Sequence, residues 1–311
     1  MEEQSIEKSK CGIGCVIVTF NRLNKLRKTL QSYANQISVP QYIIVVNNAS
    51  TDGTGNFLED WKKEEEGFLK IVIHSKENLG GSGGFYLGEQ AAMKQNADWI
   101  MIADDDAYPD NNYINGIQQY IDSHKNDNIS IICGRVIEND SFVNIHRSRW
   151  RSRWDRNFHT PVKEKEYNKK EFYPDFVSYV GIVINKQKMQ TVGLVNKSNF
   201  IWCDDTEHTY RLGRVGKVIC LPALSIFHDV EPMNYQLNWK LYYGIRNDLV
   251  FFKKHFPFHY PFILSKLLIK TLLSPLKGRS YAEIKLRFAA MRDSWYGNMG
   301  INAIYKPGWK A

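Results

Sequence analysis

WIMIADDDAYPD, residues 99–110, is an uninterrupted apolar run that breaks into three consecutive aspartates and then a turn. From Trp99 to Ala103 it lacks the alternation of a half-exposed strand and is too short for a helix, which predicts a strand buried on both faces. The carboxylates then sit at the strand's C-terminal end, where open α/β sheets bind ligands. Residues two apart in extended chain point the same way, so Asp104 and Asp106 converge while Asp105 points elsewhere. Two converging carboxylates must raise a pKa, stay solvated or share a cation, and a hard divalent ion such as magnesium or manganese takes oxygen ligands. By itself such a run reads as an acidic surface turn; its company along the chain shifts the balance.

Upstream, CGIGCVIVTF (11–20) predicts a central strand, followed by a helix on which Leu23, Leu26, Leu30 and Tyr33 share a face. YIIVVNN (42–48) predicts a second strand, with Ser50 or Asp52 capping the helix that leads to Trp61. IVIH (71–74) is a third strand, then NLGGSGGF (78–85) reads as a turn or a loop that lets backbone approach a ligand, before a helix through Ala91 to Asn96. Four strands alternating with three helices predict a parallel, doubly wound sheet. The glycines do not fit the dinucleotide spacing, since from Gly81 the third position falls on Tyr86, and the NAD reading is rejected.

Downstream, a helix to His124 and a strand at 129–136 are expected, then a long loop at 145–173 whose HRSRWRSRWDRNFH holds five arginines and two tryptophans. A strand at 176–184 and a short helix lead to FIWCDDTEHTYRLGRVG (200–216), where Asp204 and Asp205 open a helix that carries Glu207 four residues before Arg211. Acids at a helix start are favourable by about 0.3–1 kcal/mol, so this pair reads equally as a cap. KVICLPALSIFH (217–228) predicts two strands broken at Pro222 and ending in His228.

The net charge of +8 lies in the tail: from Trp239 onward thirteen Lys and Arg stand against three acids. In PFILSKLLIKTLLSPLKGR (261–279), Leu264, Leu267, Leu268, Thr271 and Leu272 line one helical face and Lys266, Lys270 and Lys277 interrupt the rest. This suits an anionic membrane surface and equally a helix packed on its own domain. Five cysteines (Cys11, Cys15, Cys133, Cys203, Cys220) without a CxxC pair predict free buried thiols in a reducing compartment. The charged N-terminus and the lack of an apolar span predict a cytoplasmic protein. Two regions are expected, a catalytic α/β domain over 1–237 and a basic amphipathic helical region over 238–311.

With these blocks in order, the chain resembles the family 2 glycosyltransferases of the A-type fold, and NLGGSGGF, ADDDAYPD, FIWCDDTEH and LPALSIFH followed by YYGIRND resemble the bacterial galactofuranosyltransferases. The resemblance runs from about Cys11 to Phe252. It implies a Rossmann-like, mostly parallel sheet with helices on both faces and a C-terminal helical region. It also implies Asp104, Asp106 and His228 as ligands of Mn2+ or Mg2+, Asp205 as catalytic base, and Thr19, Asn21 and Asn48 as nucleotide contacts. Gly80, Gly81, Asp105 and Asp204 join the substrate-binding set. Asn47 and Asn48 stand where the family often holds uracil with an aspartate. The implied activity is inverting transfer from a UDP-sugar, most nearly UDP-galactofuranose, to a cell-surface glycan or lipid-linked acceptor, without a nucleic-acid partner. A dTDP-rhamnose enzyme is the near alternative, and a non-catalytic nucleic-acid or lipid-surface binder the alternative of another class.

Overall fold

The computed structural model describes residues 12–231 and 237–309; Cys11, where the first strand was expected to start, lies outside them. The chain runs β1 (Ile13–Thr19), α1 (Leu23–Ala34), β2 (Tyr42–Asn47), α2 (Thr54–Trp61), β3 (Leu69–His74), α3 (Gly80–Ala92), β4 (Trp99–Asp104), β5 (Ala107–Pro109), α4 (Tyr113–Ser123) and β6 (Ile129–Glu138). β7 (Ser141–Val143), β8 (Arg147–Trp150), β9 (His159–Pro161) and β10 (Phe176–Val177) follow, then β11 (Ile182–Asn185), α5 (Lys186–Val192), α6 (Asp204–Gly213) and β12 (Lys217–His228). Three helices, α7 (Lys240–His255), α8 (Tyr260–Leu272) and α9 (Tyr281–Tyr296), come last.

The main sheet has the order β3-β2-β1-β4-β11-β6-β12-β5, with β7 paired to β6. β3, β2, β1 and β4 are parallel, as the alternation of elements predicts, and their apolar runs are continuous because alternate residues feed two cores. Cys15 and Ile17 pack with α1 on one face; Val16 and Val18 pack with α3 on the other. β11 breaks the parallel pattern, running antiparallel to both β4 and β6. The excursion after β6 leaves from the C-terminal end of the sheet and returns from that same end, so the returning strand points the other way.

Four local expectations are corrected. The glycines at 80–84 lie within α3 rather than in a loop: a Cβ on Gly84 would stand 2.5 Å from Val18 Cγ1, and one on Gly88 2.3 Å from Val16 Cγ1. Glycine costs a helix about 1 kcal/mol per residue relative to alanine, and direct packing of this helix on β1 offsets it. The segment 145–173 contains β8 and β9, which with β10 make a separate three-stranded sheet. Its period was hidden because Arg147 is fully buried, donating to the carbonyls of Gly134, His146 and Val180. The strand expected at 176–184 is divided by Gly181 at φ +69°, whose added Cβ would meet Ile226 Cδ1 at 2.1 Å. Finally, 217–228 is one strand: Pro222 falls in an irregularity between Leu221 and Ser225 where the ladder skips residues, a place that needs no N–H from it.

The three C-terminal helices pack onto the body through an aromatic cluster in which Phe158, Phe176, Phe200 and Tyr210 meet Tyr242, Tyr243, Phe251 and Phe252. On α8 the buried side is Tyr260, Ile263, Leu267 and Thr271; Leu268 and Leu272, expected on that face, are exposed together with Phe262 and Ile269. Cys15 is buried, and Cys133, Cys203 and Cys220 are buried free thiols. Among the described residues no helix is long and apolar enough to cross a membrane.

Candidate active site

Both aspartate clusters face one cavity of about 780 Å³, which also holds His228, Asp248 and Arg156. A second cleft of about 300 Å³, lined by Thr19, Asn48, Gly80, Gly81 and Asp105, shares Asp104, Arg22 and Lys240 with the first. Asp104 stands at the junction.

β4 delivers its last residue there because parallel pairing with β1 sets Asp104 opposite Val18. Burial and the neighbouring Asp106 push the Asp104 carboxyl up to about 8. Asp105 turns away, as strand geometry predicts: its Oδ2 accepts from Thr19 Oγ1 at 2.7 Å and its Oδ1 lies 3.3 Å from Arg22 Nη1. Burial raises it to about 6 against the pull of Arg22. Asp106 is also buried, yet His228 and Arg22, the latter 2.7 Å from Oδ2, hold it below the ordinary carboxylate range. His228 arrives on the other side through β12, which pairs antiparallel with β5 and so sets His228 opposite Ala107, beside Asp106. Burial works against its charge, but Asp106 and Asp104 raise its pKa above that of free imidazole.

One oxygen in this cluster receives no hydrogen bond. Asp106 Oδ1 is buried, accepts no hydrogen bond, and stands 3.4 Å from His228 Nε2. A buried, unpaired carboxylate oxygen is costly unless something cationic completes it. Donor atoms of Asp104, Asp106 and His228 all lie within 4.8 Å of one another. Atoms that share a small divalent ion at about 2.1 Å sit about 3 Å apart when adjacent and about 4.2 Å when opposite, so small side-chain shifts bring these three residues onto such an ion.

In the same cavity, Asp204 and Asp205 begin α6 after a backbone that few sequences tolerate: Phe200, Trp202 and Cys203 have φ of +68°, +66° and +63°. Non-glycine residues in this region persist only where the surroundings over-determine them. Here Asn247 Nδ2 donates to the carbonyls of Asn199, Ile201 and Trp202, and Arg246 donates to those of Asn199 and Gly300. Asp205 Oδ1 accepts from the Thr206 N–H at 2.6 Å, so it satisfies a helix-start donor and still faces the cavity. Burial raises the pKa of Asp205, and burial together with Asp205 pushes Asp204 up to about 7. Behind them, Glu207 is tied to Arg211, as their spacing predicts, and also to Lys254 and His255 of α7.

The remaining expected residues have local partners. Asn48 Oδ1 accepts from the Leu79 N–H and its Nδ2 donates to the Gly80 carbonyl, a clamp on the start of α3 at the cleft wall. Gly80 needs its φ of +71° and its missing side chain, since a Cβ would stand 2.0 Å from the Phe200 carbonyl oxygen. Asn21 lines neither cleft; its Oδ1 accepts from the Thr51 N–H at 2.7 Å. Asn47 pairs with His74.

Sequence reasoning missed Arg22, Arg156, Lys240 and Asp248. The first directly follows the expected contact Asn21. Asp248 carried a usable signal, being an acid in the otherwise apolar helical run after YYGIRN. It is paired with Arg156 Nη1 at 2.6 Å, and burial raises its pKa.

Comparisons with known proteins agree with this architecture. Residues 15–188 match the model of glycosyl transferase family 2. Galactofuranosyltransferase GlfT1 of Mycobacterium tuberculosis is 38% identical over 93 residues, 30% of this chain and 30% of the relative; that of Mycolicibacterium smegmatis is 34% identical over 94 residues, with the same coverage. The matches thus span under a third of either relative. Among solved structures, GalNAc-T7 with UDP, GalNAc and Mn2+ superposes with a TM-score of 0.64 at 14% identity, covering 93% of this chain and 56% of that one. TarS 1–349 of S. aureus with UDP-GlcNAc gives 0.59 at 13% identity, covering 92% and 81%. At such identities these likenesses establish the A-type glycosyltransferase fold. With the family model spanning more than half of its length, the chain belongs to glycosyl transferase family 2 and is a glycosyltransferase.

Proposed function

We propose that this enzyme is an inverting, divalent-cation-dependent transferase that moves galactofuranose from UDP-galactofuranose to a cell-surface glycan or lipid-linked acceptor. The observation that carries the reading is that two acidic clusters line one cavity, Asp104, Asp106 and His228 in the one and Asp204 and Asp205 in the other. Thr19, Asn48, Gly80, Gly81 and Asp105 line the adjoining cleft that would take the nucleotide, and Asp204 stands beside the reacting sugar. Asp104, Asp106 and His228 would hold Mn2+ or Mg2+, which when bound offsets the charge developing on a departing diphosphate. Arg22 and Lys240, shared by both clefts, add positive charge where the diphosphate would lie. Asp205 takes the proton of the attacking hydroxyl; burial raises its pKa, which makes it a better base than an ordinary carboxylate. Attack on the sugar face opposite the leaving group inverts the anomeric centre.

A lipid-linked acceptor is supported by the outer side of α8. Phe262, Ile269 and Leu272 are exposed there, and the nearby pocket of Arg156, Lys266, Lys270 and Arg287 is basic. Such a surface suits the anionic inner face of a plasma membrane. The nucleic-acid reading keeps only part of its motive, because Arg147 is fully buried and Trp150 packs against Phe158, Phe176 and Phe256, while Arg151, Arg153 and Trp154 are exposed. The test is incubation with MnCl2 and a panel of sugar nucleotides. UDP release from UDP-galactofuranose supports the proposal; dTDP release from dTDP-rhamnose alone favours the rhamnosyl alternative, and binding of an oligonucleotide without any turnover contradicts both.

A further inference from the structure

His228 has a second set of contacts, on the side away from Asp106. β6 and β12 pair in parallel with His228 opposite Glu138, and the ladder itself brings Glu138 Oε1 to 3.2 Å from His228 Nδ1. The same Oε1 lies 2.6 Å from His146 Nε2, and the other nitrogen of His146 meets Ser178 Oγ at 2.7 Å. The two imidazoles stand edge to face with centroids 5.3 Å apart, and the side chains of Glu138, His146 and His228 are 18%, 11% and 11% exposed.

A carboxylate only accepts, so a ring nitrogen facing it must carry the hydrogen. For His228 that nitrogen is Nδ1, and a neutral ring then has a bare Nε2, the atom that faces Asp106. For His146 it is Nε2, which leaves Nδ1 to accept from the Ser178 hydroxyl. One assignment thus satisfies the whole chain from Ser178 through His146 and Glu138 to His228. Carboxylates that orient a metal-binding histidine in this way commonly contribute ten- to a hundredfold in affinity.

We propose that Glu138 is a positioning residue that fixes His228 as the Nδ1–H tautomer and aims Nε2 at the cation shared with Asp104 and Asp106, with His146 and Ser178 holding Glu138 in place. This rests on the cation site proposed above. The rival is a separate cation held by Glu138, His146 and His228, whose donor atoms also lie within 4.8 Å of one another. It would require His228 to serve two ions through its two nitrogens and would break the 2.6 Å contact between His146 and Glu138.

Long-range proton–nitrogen NMR of the full chain, recorded with pH raised until the His228 ring is neutral, reads its tautomer without any mutation. Calorimetry with MnCl2 in the presence of UDP reads affinity and stoichiometry for wild type, Glu138→Gln and His228→Ala. The expected results are Nδ1–H in the wild type, one Mn2+ per chain, and a ten- to hundredfold weaker Mn2+ affinity in Glu138→Gln with a mixed His228 tautomer. An Nε2–H wild-type ring, a second Mn2+ per chain, or unchanged affinity in Glu138→Gln alongside a loss in His228→Ala overturns the positioning role and leaves the cation site standing. Unchanged affinity in His228→Ala overturns both.

Discussion

The two chambers that meet at Asp104 are built in different ways. The smaller is made where parallel strands end: Thr19 closes β1, Asn48 follows β2, Asp105 follows β4, and Gly80 and Gly81 open the helix after β3. Topology alone brings those residues together. The larger is gathered from distant segments, with His146, Arg156, Tyr179, the 201–206 loop, His228 and Asp248 all contributing. Its acidic wall rests on left-handed backbone at Phe200, Trp202 and Cys203 that Asn247 and Arg246 hold from α7. The difference teaches that variants at the strand ends and in the cation cluster between the chambers should disturb donor and cation binding, whereas variants of the 201–206 loop and its supports should disturb turnover with the donor still bound.

The largest expected effect is at the junction. Asp106→Ala should lower transfer by at least about 10³-fold, and EDTA should do the same to the wild type. Because the Arg22 partner is 44% exposed, the loss of stability should stay within about 1 kcal/mol in thermal melts. Turnover near wild type in either case would break the comparison at its centre. On the other side, Asn247→Ala orphans the carbonyls of Ile201 and Trp202 and takes one donor from that of Asn199, which keeps Arg246. It should cost about 1–3 kcal/mol in stability and lower kcat by about 10- to 100-fold, with the calorimetric Kd for UDP unchanged. A weaker UDP Kd with intact kcat would show that the loop serves the donor chamber instead.

A smaller effect follows from protonation. Asp104 is pushed up to about 8 by burial and Asp106, so below that pH a cation must displace its proton. Affinity for Mn2+ should therefore rise by up to about tenfold per pH unit between pH 6 and 8, and a flat profile would mean that Asp104 is not a ligand. Smallest is the membrane contribution. Lys270→Gln should weaken binding to anionic vesicles about fivefold, equivalent to ~1 kcal/mol, and leave transfer to a soluble acceptor unchanged.

What could be read from the sequence follows the same division. The apolar strands, the convergence of Asp104 and Asp106 away from Asp105, and the Glu207–Arg211 pair were legible because each depends on a local period or spacing. His228 and Asp205 entered through family resemblance, since nothing local says which strand end faces which helix start. The glycines of α3 misled because intrinsic propensity opposes a helix and only the contact with Val16 and Val18 reverses it. β8 and β9 were hidden by the buried Arg147, and no residue pattern announces positive φ at Phe200, Trp202 and Cys203. Asp248 and Arg156 form their pair across 92 residues of chain, which no local reading detects.

The central claim is that Asp205 removes the acceptor proton in the cavity it shares with the cation cluster, and its most direct test is transfer by Asp205→Asn with Asp204→Asn as control. Asparagine still accepts from the Thr206 N–H, so a role limited to starting the helix survives the substitution. A base does not. The account predicts a loss of about 10² to 10⁴ in kcat for Asp205→Asn with donor affinity near wild type. It also predicts a wild-type pH profile whose acid limb lies above the ordinary carboxylate range, because burial raises the Asp205 pKa and activity falls as pH drops through it. Full turnover in Asp205→Asn, or a dead Asp204→Asn beside a healthy Asp205→Asn, would contradict it.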